Sequence, residues 1–494
     1  MSDNSIQHYD VIVLGAGPVG ENVAGRTSAA GLSTVIIESE LVGGECSYWA
    51  CEPSKALLRP ALLHAEAALF PGVRAAMTGS LDVNEVLKHR DRMAADWNDQ
   101  SQVEWLESAG ITLLRGHGEL DGVRRVTVRT PSGDTVRLRA RHAVAVCTGS
   151  RAAMPALLGL DAVRPWTSRE ATSAREVPRR LAVLGAGVVA VEMATAWRAL
   201  GSEVTVIARE QRLLSRVESF AADLVADKLR AAGVDLRFGT GIVTAERAGC
   251  PDDCVHLGLA DGTRIVVDEL LLATGRAPRT DDIGLETVGL NSGEWLNTDD
   301  TFTVTAVDDE WLYAVGDVNH RALLTHQGKY QARIAGAVIA DRAAGHDLDT
   351  SPWGPHTGTA DLVAVPQVVF TDPEIAAVGL TTEDAAMQGR TVDVIDYEIG
   401  RVAGALQHDP DYRGRARILI DPARETIVGA TFVGAGVAEL LHSATIAITA
   451  EVTLDRLWHA VPAFPTISEV WLRLLETYRD QPWPRTGLLP RSEA

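Results

Sequence analysis

The chain opens on a short β-branched apolar run, Val11-Ile12-Val13-Leu14, that breaks at once into glycines. It passes through a helix-compatible stretch ending near Gly31 and resumes as Thr34-Val35-Ile36-Ile37. Short apolar runs flanking a helical segment predict a β-α-β unit. The same pattern returns at Leu181-Ala182-Val183-Leu184, followed by glycines, a helical stretch through Leu200 and Gly201, and Val204-Thr205-Val206-Ile207. Two such units are therefore expected. Between them, an Ala- and Leu-rich helical region over about 55–110 precedes alternating strands over about 111–147 that end in Cys147-Thr148-Gly149; Ala273-Thr274-Gly275 closes the second region in the same way. Strands that break into a small polar residue and glycine suit a chain crossing beside a ligand. The segment 346–362, with Pro352, Gly354, Pro355 and Gly358, reads as a linker. Strands at 364–370, 415–419 and 426–433 with an Ala-rich helix near 437–450 then predict an α+β domain.

Both β-α-β units carry a dinucleotide fingerprint. Gly15-Ala16-Gly17-Pro18-Val19-Gly20 follows a strand and opens a helix, with Glu38 ending the next strand. Glycines permit the tight turn and close approach of backbone to pyrophosphate, the helix N-terminus offers N–H groups, and Glu38 can accept ribose hydroxyls. The alternative is a glycine turn that only packs helix on strand. The second unit, Gly185-Ala186-Gly187-Val188-Val189-Ala190, has Ala208-Arg209 where an NAD site places a carboxylate. Arg209, with Arg212 and Arg216 close behind, can neutralise a 2′-phosphate, which favours NADPH over NADH. A solvated arginine face, with Glu210 among the cations, is the alternative.

Composition narrows the partners. Over 494 residues, 46% apolar and 23% charged, the chain can bury several cores, and its net charge of −20 opposes general affinity for nucleic acid or an anionic membrane. A small-molecule substrate is expected. The opening MSDNSIQHYDVIVLGAG has no basic leader and no run long enough for a signal-peptide core or membrane span, which predicts a cytoplasmic protein. Five cysteines are too few for a stabilising framework, so spacing decides their use.

The segment Gly43-Gly44-Glu45-Cys46-Ser47-Tyr48-Trp49-Ala50-Cys51-Glu52-Pro53-Ser54-Lys55 is the most specific in the sequence. Residues five apart on a regular helix are separated by roughly 7.5 Å along the axis, beyond the ~6.8 Å reach of disulfide Cα atoms. A Cys46–Cys51 disulfide therefore needs a distorted backbone, and a strained bridge is more easily reduced. No His or Cys cluster nearby completes a tetrahedral metal set; two unrelated buried thiols are the remaining alternative. Cys250 and Cys254, in a polar loop, read as incidental, and Cys147 as a small core residue.

This segment resembles the active-site motif of the class I pyridine nucleotide-disulfide oxidoreductases, the family of glutathione reductase, dihydrolipoamide dehydrogenase, mycothione reductase and mercuric reductase. The likeness extends to both fingerprints, Ala273-Thr274-Gly275-Arg276, Tyr313-Ala314-Val315-Gly316-Asp317, Leu324-Thr325-His326 and Phe370-Thr371-Asp372-Pro373-Glu374. It implies an α/β chain of two Rossmann-like dinucleotide-binding domains and a C-terminal α+β dimerisation domain. The FAD domain would take 1–160 and 275–350, the NAD(P)H domain 161–274, and the interface domain of a homodimer 360–494. FAD would be held by the first unit, with Gly15, Gly17, Gly20 and Glu38, and by Asp317, and the nicotinamide nucleotide by the second, with Gly185, Gly187, Ala190, Arg209, Arg212 and Arg216; Gly44, Lys55, Gly118, Thr148, Gly149, Gly275 and Arg276 complete the cofactor-binding candidates. Cys51 would take electrons from the flavin and rest as a thiolate, Cys46 would meet the substrate, and Lys55 and Glu192 would pair beside the flavin.

One departure alters the expected chemistry. Disulfide reductases of this family carry His-Pro-Thr with a Glu following near the C-terminus, and that histidine moves the proton in exchange. Here the run is Ala463-Phe464-Pro465-Thr466-Ile467-Ser468-Glu469. Phenylalanine cannot move a proton, and loss of a positioned acid/base costs ~10²–10⁴ in rate. His459 is the nearest substitute. No cysteine follows Cys254, which argues against the C-terminal thiol pair of mercuric reductase and the relay of high-molecular-weight thioredoxin reductase; the full Cys-x4-Cys argues against soluble transhydrogenase. The expectation is an NADPH-dependent flavoprotein reductase acting on a small-molecule acceptor, either a disulfide handled without histidine or a more easily reduced compound. The rivals are a diaphorase or quinone reductase using flavin alone, and a low-turnover flavin-binding redox sensor.

Overall fold

Strand β1 (Gln7–Leu14) leads through helix α1 (Pro18–Ala29) to β2 (Thr34–Glu38). Val11, Ile12 and Val13 are wholly buried, as befits a parallel strand covered on both faces. With β3 (Thr112–Arg115), β4 (His117–Leu120), β5 (Arg125–Arg129) and β6 (Thr135–Val146), these strands form a sheet in the order β3-β2-β1-β6-β5-β4, and Leu312–Ala314 adds alongside β6. The register sets Val11 beside Thr34 and Ala143, and Leu14 beside Ile37 and Val146. Alternate side chains feed two cores. Val11, Val13 and Ile36 pack with Val23 and Ala24 of α1 and with Ala335 and Val338 of the helix Thr325–Ala344, whereas Ile12, Leu14 and Ile37 pack with Val128, Val144 and Trp311. The two helices approach closely because Gly328 and Gly336 lack side chains: a Cβ there would meet Val19 and Arg26 at 2.6 and 2.5 Å.

The structure, a computed structural model, describes residues 6–77, 79–247 and 254–480. It divides into two units: Met1–Leu57, Asp82–Gly185 and Ile242–Leu362 make the first, and Leu58–Leu81, Ala186–Gly241 and Val363–Ala494 the second. The first also holds the parallel pair Arg180–Leu184 and Glu269–Leu272, a three-stranded antiparallel sheet over 242–267, and the short pair Ser150–Ala152 with Arg276–Pro278. Cys250 lies outside the described residues; Cys254 is buried, its sulfur 3.5 Å from Nε2 of His256. Among the described residues no helix is long and apolar enough to cross a membrane.

The second unit carries the helix Val188–Ala199, the parallel strands Glu203–Ile207 and Asp235–Arg237, and a five-stranded antiparallel sheet. Strands Gln367–Val369, Arg415–Asp421 and Thr426–Gly434 fall on the apolar runs read from sequence. Glu374–Gly379 and Asp393–Glu398 complete the sheet without such runs; the first is built on alanines and the second alternates with acids. The helix anticipated near 437–450 is a 3₁₀ turn, Val437–Leu440, running into Leu441–Thr449. Glu218, 3% exposed, anchors this unit. Its carboxylate accepts hydrogen bonds from the backbone N–H and hydroxyl of Thr382, both at 2.8 Å, and from Arg417 at 2.9 Å. Glu218→Ala strands these part-buried donors and is expected to cost about 3 kcal/mol in denaturant unfolding followed by circular dichroism; a loss below about 0.5 kcal/mol would show that the anchor is idle.

Candidate active site

The site is built on the turn after β1. Gly15 has φ +95°, and a Cβ on it would stand 2.6 Å from the carbonyl oxygen of Cys147. A Cβ on Gly20 would stand 1.9 Å from the carbonyl oxygen of Gly15, whereas one on Gly17, the N-cap of α1, would meet nothing within 4 Å. Two glycines thus let backbone close on backbone, and the third leaves the positive end of α1 open to an anion. The next segment docks on this turn. Gly43 donates its N–H to the carbonyl of Ala16 at 2.8 Å, and Gly44, at φ +57°, lies so close that a Cβ would be 2.8 Å from the Cα of Gly17.

Helix α2 (Gly44–Tyr48) then carries Cys46. It ends at Trp49, φ −138°, and α3 (Cys51–Ala67) begins at Cys51, so the five-residue spacing crosses a helix break. The buried Tyr48 hydroxyl donates to the carbonyl of Val42 at 3.0 Å and holds the break in place. Both cysteines are free thiols. Cys51 Sγ lies 3.3 Å from Thr325 Oγ1, at the first residue of Thr325–Ala344. A hydrogen bond from the Cys46 thiol lowers the Cys51 pKa to about 6 against the effect of burial, helped by Thr325 and the charge of Lys55; Glu52, exposed, works weakly the other way. The same bond pushes Cys46 up. The pair is therefore polarised, with Cys51 as thiolate and Cys46 as donor.

A cavity of about 440 Å³ opens beside them. Its walls include Gly15, Gly17, Glu38, Gly44, Cys46, Gly118, Thr148, Gly149, Arg276 and Asp317, so ten residues anticipated from the sequence meet at one place. Gly20, Cys51, Lys55 and Gly275 are not among its lining residues; Gly20 acts from behind the turn. Glu38 is already committed in part, accepting the N–H of Ala16 and of Glu40, each at 2.8 Å, and burial raises its pKa. Burial also raises that of Asp317, which accepts the Ser150 hydroxyl at 2.5 Å. Arg276 in turn holds Ser150, through its hydroxyl at 2.9 Å and its carbonyl at 2.8 Å.

The cavity fits FAD on its own features. The open face of Gly17 admits pyrophosphate, and Thr148 Oγ1 in the cavity wall is buried with no hydrogen-bond partner among the described residues. The wall also contains Glu40, Glu45, Arg169, Arg279 and Thr325, which sequence reasoning did not select. Glu45 and Thr325 stand inside the segments Gly43–Lys55 and Leu324-Thr325-His326 without being singled out there; Arg169 has the capping-box signal Thr167-Ser168-Arg169-Glu170, which forms, but a cap does not reveal where the arginine points.

The remaining predicted residues belong elsewhere. Gly185, at φ +130°, closes on the carbonyl oxygen of Ala273 in the first unit, where a Cβ would lie 2.2 Å away. In the second unit, Gly187 caps the helix Val188–Ala199, in which Ala190 is wholly buried and Glu192, 3% exposed, accepts the N–H of Phe370 at 3.0 Å. Arg209 and Arg216 are exposed, whereas Arg212 donates to the carbonyls of Val217 and Ser215 at 3.2 and 3.0 Å. Glu469 is buried and accepts from Arg473 at 2.6 Å; Phe464 is 75% exposed, and His459 is also exposed. Among the described residues no group of three or more His, Cys, Asp or Glu is arranged to hold a metal.

Comparison with known proteins agrees with this architecture. Residues 9–340 match the family model described as pyridine nucleotide-disulphide oxidoreductase, and 365–474 match the dimerisation domain of the same family. Dihydrolipoyl dehydrogenase 3 of Pseudomonas aeruginosa is 32% identical, covering 94% of this chain and 96% of its own. Mercuric reductase of Staphylococcus aureus is 26% identical over 95% of this chain and 83% of its own. Among solved structures, the HOCl-induced flavoprotein disulfide reductase RclA of Escherichia coli shares the fold, with a TM-score of 0.80 at 22% identity over 95% of this chain and 99% of its own. The chain belongs to the pyridine nucleotide-disulphide oxidoreductases, flavoprotein enzymes that use FAD and a pyridine nucleotide.

Proposed function

We propose that this enzyme takes two electrons from NADPH in preference to NADH and delivers them, through a Cys46–Cys51 disulfide, to an acceptor whose reduction needs no histidine. The observation that carries the reading is the placement of Cys46 in the wall of the dinucleotide cavity with Cys51 just across a helix break, its Sγ 3.3 Å from Thr325 Oγ1. When bound, FAD supplies the two-electron relay between nucleotide and sulfur. Gly15, Gly17 and the N-terminus of α1 would hold its pyrophosphate, and Glu38 its ribose. Two electrons and one proton convert the disulfide into a Cys46 thiol and a Cys51 thiolate. Thr325, Lys55 and the Cys46 thiol stabilise that thiolate, which leaves Cys46 as the sulfur for the acceptor.

The nucleotide preference is supported by the exposed guanidinium groups of Arg209 and Arg216 and by the lack of a carboxylate at residue 209; Arg212 is spent on backbone carbonyls. The acceptor reading is supported by Phe464 in the position of the family histidine and by Glu469, which pairs with Arg473 instead. Relatives named for dihydrolipoyl and mercuric substrates, and a copper(II) complex of RclA, make thiophilic metal ions and small disulfides the first acceptors to try. The match to a dimerisation domain supports a homodimer.

Anaerobic titration of the FAD-loaded protein with NADPH, and separately with NADH, is expected to raise a long-wavelength thiolate-to-flavin band after two electrons, with NADPH effective at lower concentration. Flavin reduction with no such band would move the mechanism to flavin alone. Replacing Arg209 and Arg216 together by alanine should cut the NADPH over NADH ratio of kcat/KM by about tenfold or more; an unchanged ratio would remove them from nucleotide selection. In the reduced protein, alkylation of Cys51 should rise with pH through a midpoint near 6, because the thiolate predominates above its pKa. Thr325→Val should move that midpoint upward, whereas a midpoint near the ordinary thiol value, unmoved by the substitution, would contradict the polarised pair.

A further inference from the structure

Arg169 and Arg279 both bond to the cofactor wall and to the cysteine segment, and Arg169 also stacks on Trp49. Arg169, in the helix Ser168–Ser173, donates from Nη1 and Nη2 to the Glu40 carboxylate at 2.9 and 2.5 Å, and from Nε to Glu45. Its guanidinium carbon lies 4.1 Å from the centre of the Trp49 ring. Glu45 immediately precedes Cys46, and Trp49 lies between the two cysteines, so a single cation grips the segment on both sides of Cys46. Thr172, one turn further along the same helix, shares its single hydroxyl proton between the carbonyl of Trp49 at 2.9 Å and that of Ser168 at 2.8 Å. Arg90, 1% exposed, fixes that helix from behind through the carbonyls of Thr172 and Ala174 at 2.7 and 3.0 Å.

The same arginine closes a path from the fingerprint turn. Ala16 donates to Glu38, Glu38 accepts from the N–H of Glu40, and the Glu40 carboxylate binds Arg169. Arg279 supports Glu45 from the other side at 2.7 Å. We infer that Arg169 is a positioning residue for the redox pair: acting through Glu45 and Trp49, it holds the 45–49 segment so that Cys46 returns to bonding distance of Cys51 in each cycle. This rests on the redox reading of the two cysteines proposed above.

The physical need is plain. Reduction takes two electrons and one proton, breaks a sulfur–sulfur bond of ~2.05 Å and leaves thiol and thiolate at non-bonded separation. Reoxidation by the acceptor removes the electrons and returns the proton. The helix break that brings Cys46 and Cys51 together leaves Trp49 and Ala50 outside both helices; the Trp49 N–H to the Glu45 carbonyl at 2.8 Å and the Ser54 N–H to the Ala50 carbonyl at 3.0 Å tie their backbone, and the Trp49 ring takes its hold from Arg169. The planar guanidinium can fork to two carboxylates and stack on an indole at once, which an ammonium cannot. Without Arg169, Glu40 loses the guanidinium that forks onto its carboxylate, and Glu45 keeps Arg279 alone.

The test uses FAD-loaded full-length protein carrying Arg169→Ala, Arg169→Lys or Thr172→Val. It reads the thiolate-to-flavin band per bound flavin after two electrons, and the disulfide–dithiol equilibrium of Cys46 and Cys51 in dithiothreitol redox buffers. Arg169→Ala should lose at least about half of the band and, because the loosened Cys46 closes on Cys51 less readily, shift the equilibrium toward dithiol about tenfold, or ~30 mV for a two-electron couple. Arg169→Lys should not restore either, and Thr172→Val should move both in the same direction by less. Wild-type band and equilibrium in Arg169→Ala at full flavin content would overturn the inference alone. Should Arg169→Ala purify without flavin, Thr172→Val decides, and wild-type behaviour there overturns it. Absence of the band from the wild-type enzyme would overturn the redox reading and the inference together.

Discussion

The site depends on a backbone-to-backbone contact between Gly17 and Gly44. No side chain fits on Gly44 without striking the Cα of Gly17, and the hydrogen bond from Gly43 to Ala16 holds the two strands of chain at that distance. This seats the start of the cysteine helix on the turn that opens the dinucleotide cavity. Cys46 therefore lines the cavity as a consequence of the fingerprint turn, with no long loop to order. A turn whose usual role is to admit pyrophosphate also fixes the origin from which the redox segment runs.

Beyond that contact, the site is organised largely by electrostatics. The chain carries a net charge of −20, and the cavity wall gathers Glu38, Glu40, Glu45, Asp317, Asp282 and Asp281, the last paired with Arg151. Such a wall repels a dinucleotide unless its acids are occupied. Glu38 is bonded to backbone N–H groups, Asp317 to Ser150, and Glu40 and Glu45 to arginines. The acids thus serve as internal ties, and the open N-terminus of α1 is left as the local attraction for phosphate. Near the sulfurs the balance is reversed. Lys55, Thr325 and the Cys46 thiol all favour negative charge on Cys51, which separates the roles of two chemically identical residues.

Much of this could be read along the chain because it is local. The β-α-β units announce themselves by apolar runs ending in glycine, and the glycine spacing predicts a tight turn, which appears as Gly15 and Gly20 standing where a Cβ would strike backbone. The need for a distorted backbone between Cys46 and Cys51 comes from helix rise alone, and the break at Trp49 meets it. The parts that stayed hidden are those where distant segments meet. Arg169 is 123 residues from Cys46 in sequence and reaches its neighbourhood only because the helix Ser168–Ser173 packs there. The strands Glu374–Gly379 and Asp393–Glu398 lack strong β-branched runs and are recruited by pairing with Thr426–Gly434 and Arg415–Asp421, so their propensity is overridden by tertiary context.

In the proposed mechanism Cys46 and Cys51 cycle between disulfide and dithiol at the expense of a pyridine nucleotide. The decisive experiment is to alkylate the FAD-loaded protein under argon before and after one equivalent of NADPH, and to map the modified cysteines by mass spectrometry. Cys46 and Cys51 are expected to be protected in the oxidised protein and to become alkylatable after the nucleotide, with Cys147 unchanged. Equal labelling of the pair before and after would contradict the mechanism.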